Sequence, residues 1–103
     1  MKKYRVIWDE RAIKEFQDIY QYLRDEAKVP QAAKQVRDEL LRVARDLNTM
    51  PKKFKVYEYA DKGLGDYRSV VRWHYRIIYE VLREEVHIVR IIHTSRDPDS
   101  IKL

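Results

Sequence analysis

The sequence predicts an α+β domain in which an antiparallel helix hairpin packs on a mainly antiparallel sheet of about four strands. Three observations predict it: a short β-branched and aromatic segment near the N-terminus, two amphipathic helical segments, and a run of strand-like segments after them. Helices and strands that are segregated along a chain are typical of α+β folds. A length of 103 residues predicts one domain over residues 1–103.

The first half of the chain contains one predicted strand and two predicted helices. Tyr4–Trp8 (Tyr-Arg-Val-Ile-Trp) is a predicted strand, and Asp9 suits the N-cap of a helix that extends to about Glu26. Apolar residues recur three and four positions apart there and again over Pro30–Leu47, the second predicted helix. Asn48 suits a left-handed residue after that helix, and Pro51 prevents its continuation.

The second half supplies the predicted sheet. Phe54–Tyr59 is a possible short strand, and Asp61–Asp66, with two glycines, is a predicted loop. Three further strands are predicted, with Arg83 to Glu85 as the turn between the last two: Tyr67–Trp73, Tyr75–Leu82 and Val86–His93.

The length of that turn decides which face of the sheet carries two polar residues. Alternation puts Tyr75 on the helix-covered face and Arg76 on the opposite, uncovered face. A three-residue turn places Arg90 with Arg76 and sets His93 opposite Tyr75. A two-residue turn pairs His93 with Arg76 instead. We favour the three-residue turn because it gathers the polar residues on one side.

Composition removes several classes of chemistry. The chain has no Cys and only two Gly, which excludes thiolate and disulfide chemistry and argues against phosphate loops. His74, His87 and His93 lack the spacing of a metal site. The sequence therefore predicts no metal centre and no cofactor. The absence of a long apolar run or a signal-peptide core predicts a cytoplasmic protein with no membrane contact.

Cations are the remaining candidates for binding. The net charge is +5, and a local excess follows the second helix, where Arg42, Arg45, Lys52, Lys53 and Lys55 face only Asp46. Arginines also alternate with aromatic residues through the predicted strands: Arg68, Arg72, Arg76, Arg90 and Arg96 beside Tyr67, Trp73, Tyr75 and Tyr79. This mixture binds phosphates and bases, but it also occurs on ordinary sheet surfaces and protein interfaces.

An ordered series of short motifs resembles the RelE/ParE superfamily, the toxins of type II toxin-antitoxin modules. The motifs are Asp-Ile-Tyr-Gln-Tyr-Leu at 18–23, Met50-Pro51 after the second helix, Asp-Tyr-Arg-Ser-Val-Val at 66–71, Tyr-Arg-Ile-Ile-Tyr-Glu-Val at 75–81 and His-Thr-Ser-Arg-Asp at 93–97. The resemblance implies a toxin that a cognate antitoxin neutralises. RelE-like members cut messenger RNA on the ribosome, and ParE-like members inhibit DNA gyrase without catalysis.

The resemblance is closer to the ParE-like branch. Arg68 stands eight residues before Arg76, and His93-x-x-Arg96-Asp97 is similar to the closing motif of that branch. The RelE-like strand arginine is replaced by Val71, and no Tyr follows Arg96. The resemblance therefore implies gyrase inhibition, with a ribosome-dependent endoribonuclease or a degenerate, non-toxic binding relative as the alternatives.

Candidate site residues follow from these patterns. His93 and Arg96 are catalytic only if the protein is a nuclease. The candidates for target binding are Arg68, Arg72, Arg76, Arg90, Lys52, Lys53, Lys55, Tyr75 and Tyr79.

Overall fold

A computed structural model describes residues 2–61 and 63–103. The secondary structure consists of β1 (Arg5–Trp8), α1 (Glu10–Gln21), α2 (Pro30–Asp46), β2 (Asp66–Arg72), β3 (Tyr75–Val81) and β4 (Glu85–His93). A π-helical turn, Tyr22–Glu26, continues α1, and two short 3-10 turns lie at Pro51–Lys53 and Pro98–Ser100. Within the described ranges, no helix has the length and apolar character needed to cross a membrane.

The four strands form one mixed sheet in the order β1-β4-β3-β2. β1 runs parallel to β4, while β3 pairs antiparallel with both β2 and β4. The main core lies between the helix pair and one sheet face, and contains Ala12, Leu40, Leu47, Ile77 and Ile88. The predicted α+β fold is confirmed.

Both predicted helices are confirmed, but two details at their ends differ. Asp9 is the N-cap of α1, yet its side chain makes no capping hydrogen bond. Asn48 is not the left-handed residue after α2; Met50 is, with φ of 50°. The backbone N–H of Asn48 instead donates to the Arg45 carbonyl at 3.1 Å, and the first positive φ after α2 is at Met50.

The predicted strand Phe54–Tyr59 is wrong. Only Val56 forms a β-bridge, with Arg68 of β2. Two backbone bonds flank the bridge, from Tyr57 N–H to Tyr67 O at 2.8 Å and from Ser69 N–H to Lys55 O at 3.2 Å. The Tyr57 ring is buried on the sheet face away from the helices, which draws the chain across the sheet rather than along its edge.

The three predicted strands of the second half are confirmed, but the turn between the last two is one residue shorter than the favoured prediction. The turn between β3 and β4 has two residues, since the Leu82 N–H donates to the Glu85 carbonyl at 2.8 Å. A β-bulge then inserts one extra residue into β4, between Ile88 and Arg90. Beyond the bulge His93 lies opposite Tyr75, as the longer turn predicted, so the turn length was wrong and the placement right.

The sheet face opposite the helices was expected to be uncovered, and this expectation is wrong for its centre. Tyr57, Ile78 and Ile92 are buried there, and Ile101 from the C-terminal segment packs against them. The chain between Val56 and Ala60 and the C-terminal segment therefore form a second, smaller core. Polar candidates on this face lie around that core rather than on an open surface.

Candidate functional site

The structure distributes the predicted site residues over separate places. Three cations border a groove at the β2 edge, which we call the strand-edge groove. A second set lies where the β2–β3 turn meets the end of β4, which we call the hairpin end. The remaining candidates hold the fold together.

The strand-edge groove has a volume of about 460 Å³ and lies between residues 54–59 and the edge of β2. Lys55, Arg72 and Arg76 line it, and none of the three has a carboxylate within ion-pair distance in the described residues. Arg76 Nη1 donates to Ser69 Oγ at 2.9 Å, and its guanidinium lies 6.0 Å from the Tyr57 ring centre. Glu58 is the one carboxylate among the lining residues, so the three cations leave the groove with net positive charge for an anionic group.

Tyr57 forms part of the same wall. Burial raises the pKa of its hydroxyl, and the Arg76 guanidinium opposes that rise. The side chain stays neutral at physiological pH, so it serves the groove as an aromatic surface and a hydrogen-bonding group rather than as a proton carrier.

Arg68 holds the segment after α2 against β2. Its Nη1 donates to the Phe54 carbonyl at 2.8 Å and the Lys52 carbonyl at 3.2 Å, and its Nε donates to Asp66 Oδ1 at 3.0 Å. Lys52 Nζ lies 3.7 Å from the same carboxylate, and Lys53 is the next residue of the 3-10 turn. Arg68 thus satisfies backbone acceptors, while the two lysines remain exposed beside it.

Arg90 is the buried charged residue of the sheet. Its Nη2 donates to Glu15 Oε2 at 2.9 Å, and its Nη1 donates to the Lys102 carbonyl at 2.5 Å. The Glu15 carboxylate also accepts from the Ile91 backbone N–H at 3.0 Å, beyond the point where β1 ends. Arg90 and Glu15 therefore join α1, β4 and the C-terminal segment.

Tyr79 and Tyr75 share the helix-facing side of β3. Tyr79 is fully buried, its hydroxyl donates to the Pro51 carbonyl at 2.6 Å, and burial raises the pKa of that hydroxyl far above its usual range. Tyr75 is half-buried, and burial also raises its pKa. Tyr75 alone of the pair reaches the hairpin end, with its ring edge-on to His93 at 5.6 Å between centres.

His93 and Arg96 lie at the hairpin end. The His93 ring stacks on His74 at 5.7 Å between centres, and its Nδ1 accepts the Ser95 backbone N–H at 3.1 Å. An acceptor at Nδ1 places the proton of the neutral ring on Nε2. Arg96 is half-exposed and lies 4.0 Å from Glu15.

Lys52 and His93 are at opposite ends of the sheet. Lys52 contacts Asp66, which pairs with Val81 of β3, whereas His93 pairs with Tyr75. Those two β3 positions are separated by roughly 20 Å along the strand, at about 3.4 Å per residue. The His93 imidazole and the Lys52 ammonium could not act on one phosphate.

Lys53 and Lys55 lie further along the β2 edge. Lys53 Nζ is 5.2 Å and the Arg72 guanidinium 6.0 Å from the centre of the Phe54 ring. The Lys55 carbonyl accepts the Ser69 N–H at 3.2 Å.

One feature of the hairpin end escapes sequence patterns. Trp73 occupies the β2–β3 turn with φ of 53° and is 54% exposed. Its backbone conformation is uncommon for any residue with a side chain, and the sequence predicted a strand at this position.

Two solved structures share the fold. A chain of the chromosomal ParDE TA system from P. aeruginosa superposes with a TM-score of 0.70 and 17% identity, covering 88% of this chain and 96% of that one. A chain of the toxin-antitoxin complex RelBE2 from Mycobacterium tuberculosis gives 0.63 and 20%, covering 93% and 97%. The fold is that of the RelE/ParE toxin superfamily.

The family follows from the sequence match. Residues 6–98 match the family model described as the ParE toxin of the type II toxin-antitoxin system parDE. The chain therefore belongs to the ParE toxin family of type II toxin-antitoxin systems. No curated protein matches it.

Proposed function

We propose that this toxin arrests growth by binding DNA gyrase in the cytoplasm, and that it does not cleave RNA. The carrying observation is the distance along the sheet between Lys52 and the predicted catalytic pair, His93 and Arg96. Cleavage of a ribose-phosphate backbone needs a base, an acid and cations within hydrogen-bond reach of one phosphate. His93 and Lys52 are too far apart to belong to one such arrangement.

The arginines of β2 and β4 support the same proposal. Arg68 is bonded to two carbonyls and a carboxylate, and Arg90 is bonded to Glu15 and the C-terminal segment. Releasing either guanidinium for a substrate would break contacts that hold the fold. Both therefore act as structural residues in this proposal, and Tyr79 does so through its bond to Pro51.

The strand-edge groove is the proposed target-binding surface. Lys55, Arg72 and Arg76 offer cations without a carboxylate partner in the described residues, next to Tyr57. Such a surface suits an acidic patch on a protein, since complementary charge speeds encounter and fixes orientation. Lys52 and Lys53 extend the positive charge, and Tyr75, His93 and Arg96 stay target-binding candidates at the separate hairpin end.

The proposal includes a cognate antitoxin as partner. Both solved structures described above come from toxin-antitoxin systems. A segment that covers the strand-edge groove would neutralise the cations and block the proposed gyrase contact.

Purified toxin is expected to inhibit DNA supercoiling by gyrase and to leave ribosome-bound messenger RNA intact. Both assays use the same preparation, with toxin boiled and cooled as the control for contaminating nuclease. Cleavage of messenger RNA at ribosomal A-site codons, with supercoiling unaffected, would replace the proposal with the endoribonuclease alternative. Neither effect, from a folded protein, would indicate a non-toxic relative.

Arg76→Glu is expected to weaken inhibition of supercoiling about tenfold or more, because it reverses a charge in the groove. Lys34→Glu makes the same change in charge at an exposed residue of α2 and is the matched control. The midpoint of inhibition and the circular dichroism spectrum are measured for both variants. Equal inhibition by the two variants would exclude the groove as the binding surface.

A further inference from the structure

Trp73 stands in a turn position that disfavours a large side chain. The β2–β3 turn has two residues between the paired Arg72 and Tyr75. Its first residue, Trp73, has φ of 53°, and its second, His74, does not have a positive φ. Positive φ at the first position alone is the pattern of the type II′ hairpin turn, which has glycine there. A bulky residue in this conformation carries backbone strain.

Burial does not compensate for that strain. The Trp73 side chain is more than half exposed, although a Trp ring stabilises a fold mainly when it is buried. The turn itself is fixed, because the Thr94 N–H donates to the His74 carbonyl at 2.8 Å. The fold therefore presents an indole at the surface on a fixed turn, without gaining the stability that burial would bring.

We propose that Trp73 is the anchor by which this toxin binds its protein target. This inference rests on the proposed function, and assigns the central contact of that binding to the β2–β3 turn. The residues that dominate binding energy at protein interfaces are enriched in Trp. The exposed Tyr22 adds aromatic surface on the helix pair.

The charges around Trp73 indicate a protein rather than a nucleic acid. The indole borders a recess of about 480 Å³ against α2, lined also by Asp38, Glu39 and Arg42. Arg42 is already paired with Glu39 at 2.5 Å and with Asp46 at 3.1 Å. Asp38 is likewise paired with Arg37 at 3.2 Å, so the recess offers no unpaired cation to a phosphate backbone. The recess fits a protein surface with an apolar pocket.

The two proposed contacts lie on either side of Arg72. The strand-edge groove offers cations to an acidic patch, and the recess offers the indole beside two ion pairs, Arg37–Asp38 and Arg42–Glu39. Matched charges at the edge of an aromatic contact fix the orientation of a protein partner. A polyanion would be attracted to the groove and would find no unpaired cation at the recess.

Trp73→Gly tests the anchor, because glycine removes the indole and relieves the strain together. The variant is expected to lose growth arrest when it is expressed without antitoxin, and to inhibit supercoiling about 30-fold less than wild type. Its thermal midpoint is expected to stay equal or to rise by up to about 5 °C. Trp73→Phe keeps an aromatic ring and is expected to retain most of the inhibition.

Met50→Gly is the matched control. Met50 is also an exposed apolar residue with positive φ, so its replacement relieves similar strain far from the recess. It is expected to arrest growth like wild type. Loss of arrest in both glycine variants would show that backbone strain, not the indole, matters, and would overturn the proposal.

Full arrest by Trp73→Gly overturns the anchor. Failure of Trp73→Gly and of Trp73→Asn to fold assigns a structural role to the indole and also overturns it. If wild type arrests growth without inhibiting gyrase, the proposed function fails, while the growth assay still tests the anchor.

Discussion

Glu15→Ala is expected to lower the free energy of unfolding by about 3–5 kcal/mol, because it leaves the Arg90 guanidinium buried without its counter-charge. The Arg90 side chain is only 7% exposed, and Glu15 supplies both its ion pair and the acceptor for the Ile91 N–H. A loss of that size is a large share of the stability of a small domain. Urea denaturation followed by circular dichroism measures it.

Asp18→Ala provides the comparison for that result. Asp18 lies on the same helix and pairs with Lys14 at 3.3 Å, but both side chains are well exposed. Exposed pairs of this kind contribute about 0.5 kcal/mol or less. If the Glu15 and Asp18 variants were equally stable, the buried pair would not hold α1 on β4 as the structure indicates.

Tyr79→Phe is expected to lower the free energy of unfolding by about 1–3 kcal/mol at neutral pH, because the buried Pro51 carbonyl loses its donor. Tyr59→Phe, at a side chain that is 56% exposed, is the control and is expected to be nearly neutral. Urea midpoints at pH 7 measure the difference. Equal midpoints for the two variants would show that the bond to Pro51 contributes nothing.

Tyr79 also makes the stability of the fold depend on pH in the alkaline range. Burial raises the pKa of Tyr79 above its ordinary value of 10.0, so the unfolded chain loses this proton before the folded protein does. The stability contributed by the neutral hydroxyl is fully present below pH 10 and is lost as pH rises above it. In Tyr79→Phe the free energy of unfolding should decrease less steeply as pH rises above 10. Part of the decrease should remain, because the pKa values of Tyr57 and Tyr75 are also raised.

The elements with strong periodicity were predictable from the sequence. Both helices and the three strands of the second half follow from apolar spacing, because each buries one face against the main core. Phe54–Tyr59 has strand-like composition but only one bridge. Its conformation depends on where Tyr57 is buried, a tertiary contact that local propensity does not contain.

The candidate site was predictable in residue type but not in role. An arginine in a strand gives the same sequence signal whether it lines a groove, as Arg76 does, or is bonded to a buried carboxylate, as Arg90 is. The partner of Arg90 is Glu15, 75 residues earlier in the chain. The sequence did not indicate the turn at Trp73, because its turn conformation is set by the pairing of β2 with β3.

The bulge at Val89 gives β4 one residue more than its ladder with β3 uses. The residue inserted there converts the register of the two-residue turn into the register that places His93 opposite Tyr75. Deleting Val89 would close the bulge and leave Arg90 opposite Ile78 and His93 opposite Tyr75, because no pair of the ladder includes the inserted residue. An evolving or engineered variant could therefore shorten β4 at this position and keep the partner of every other residue in the strand.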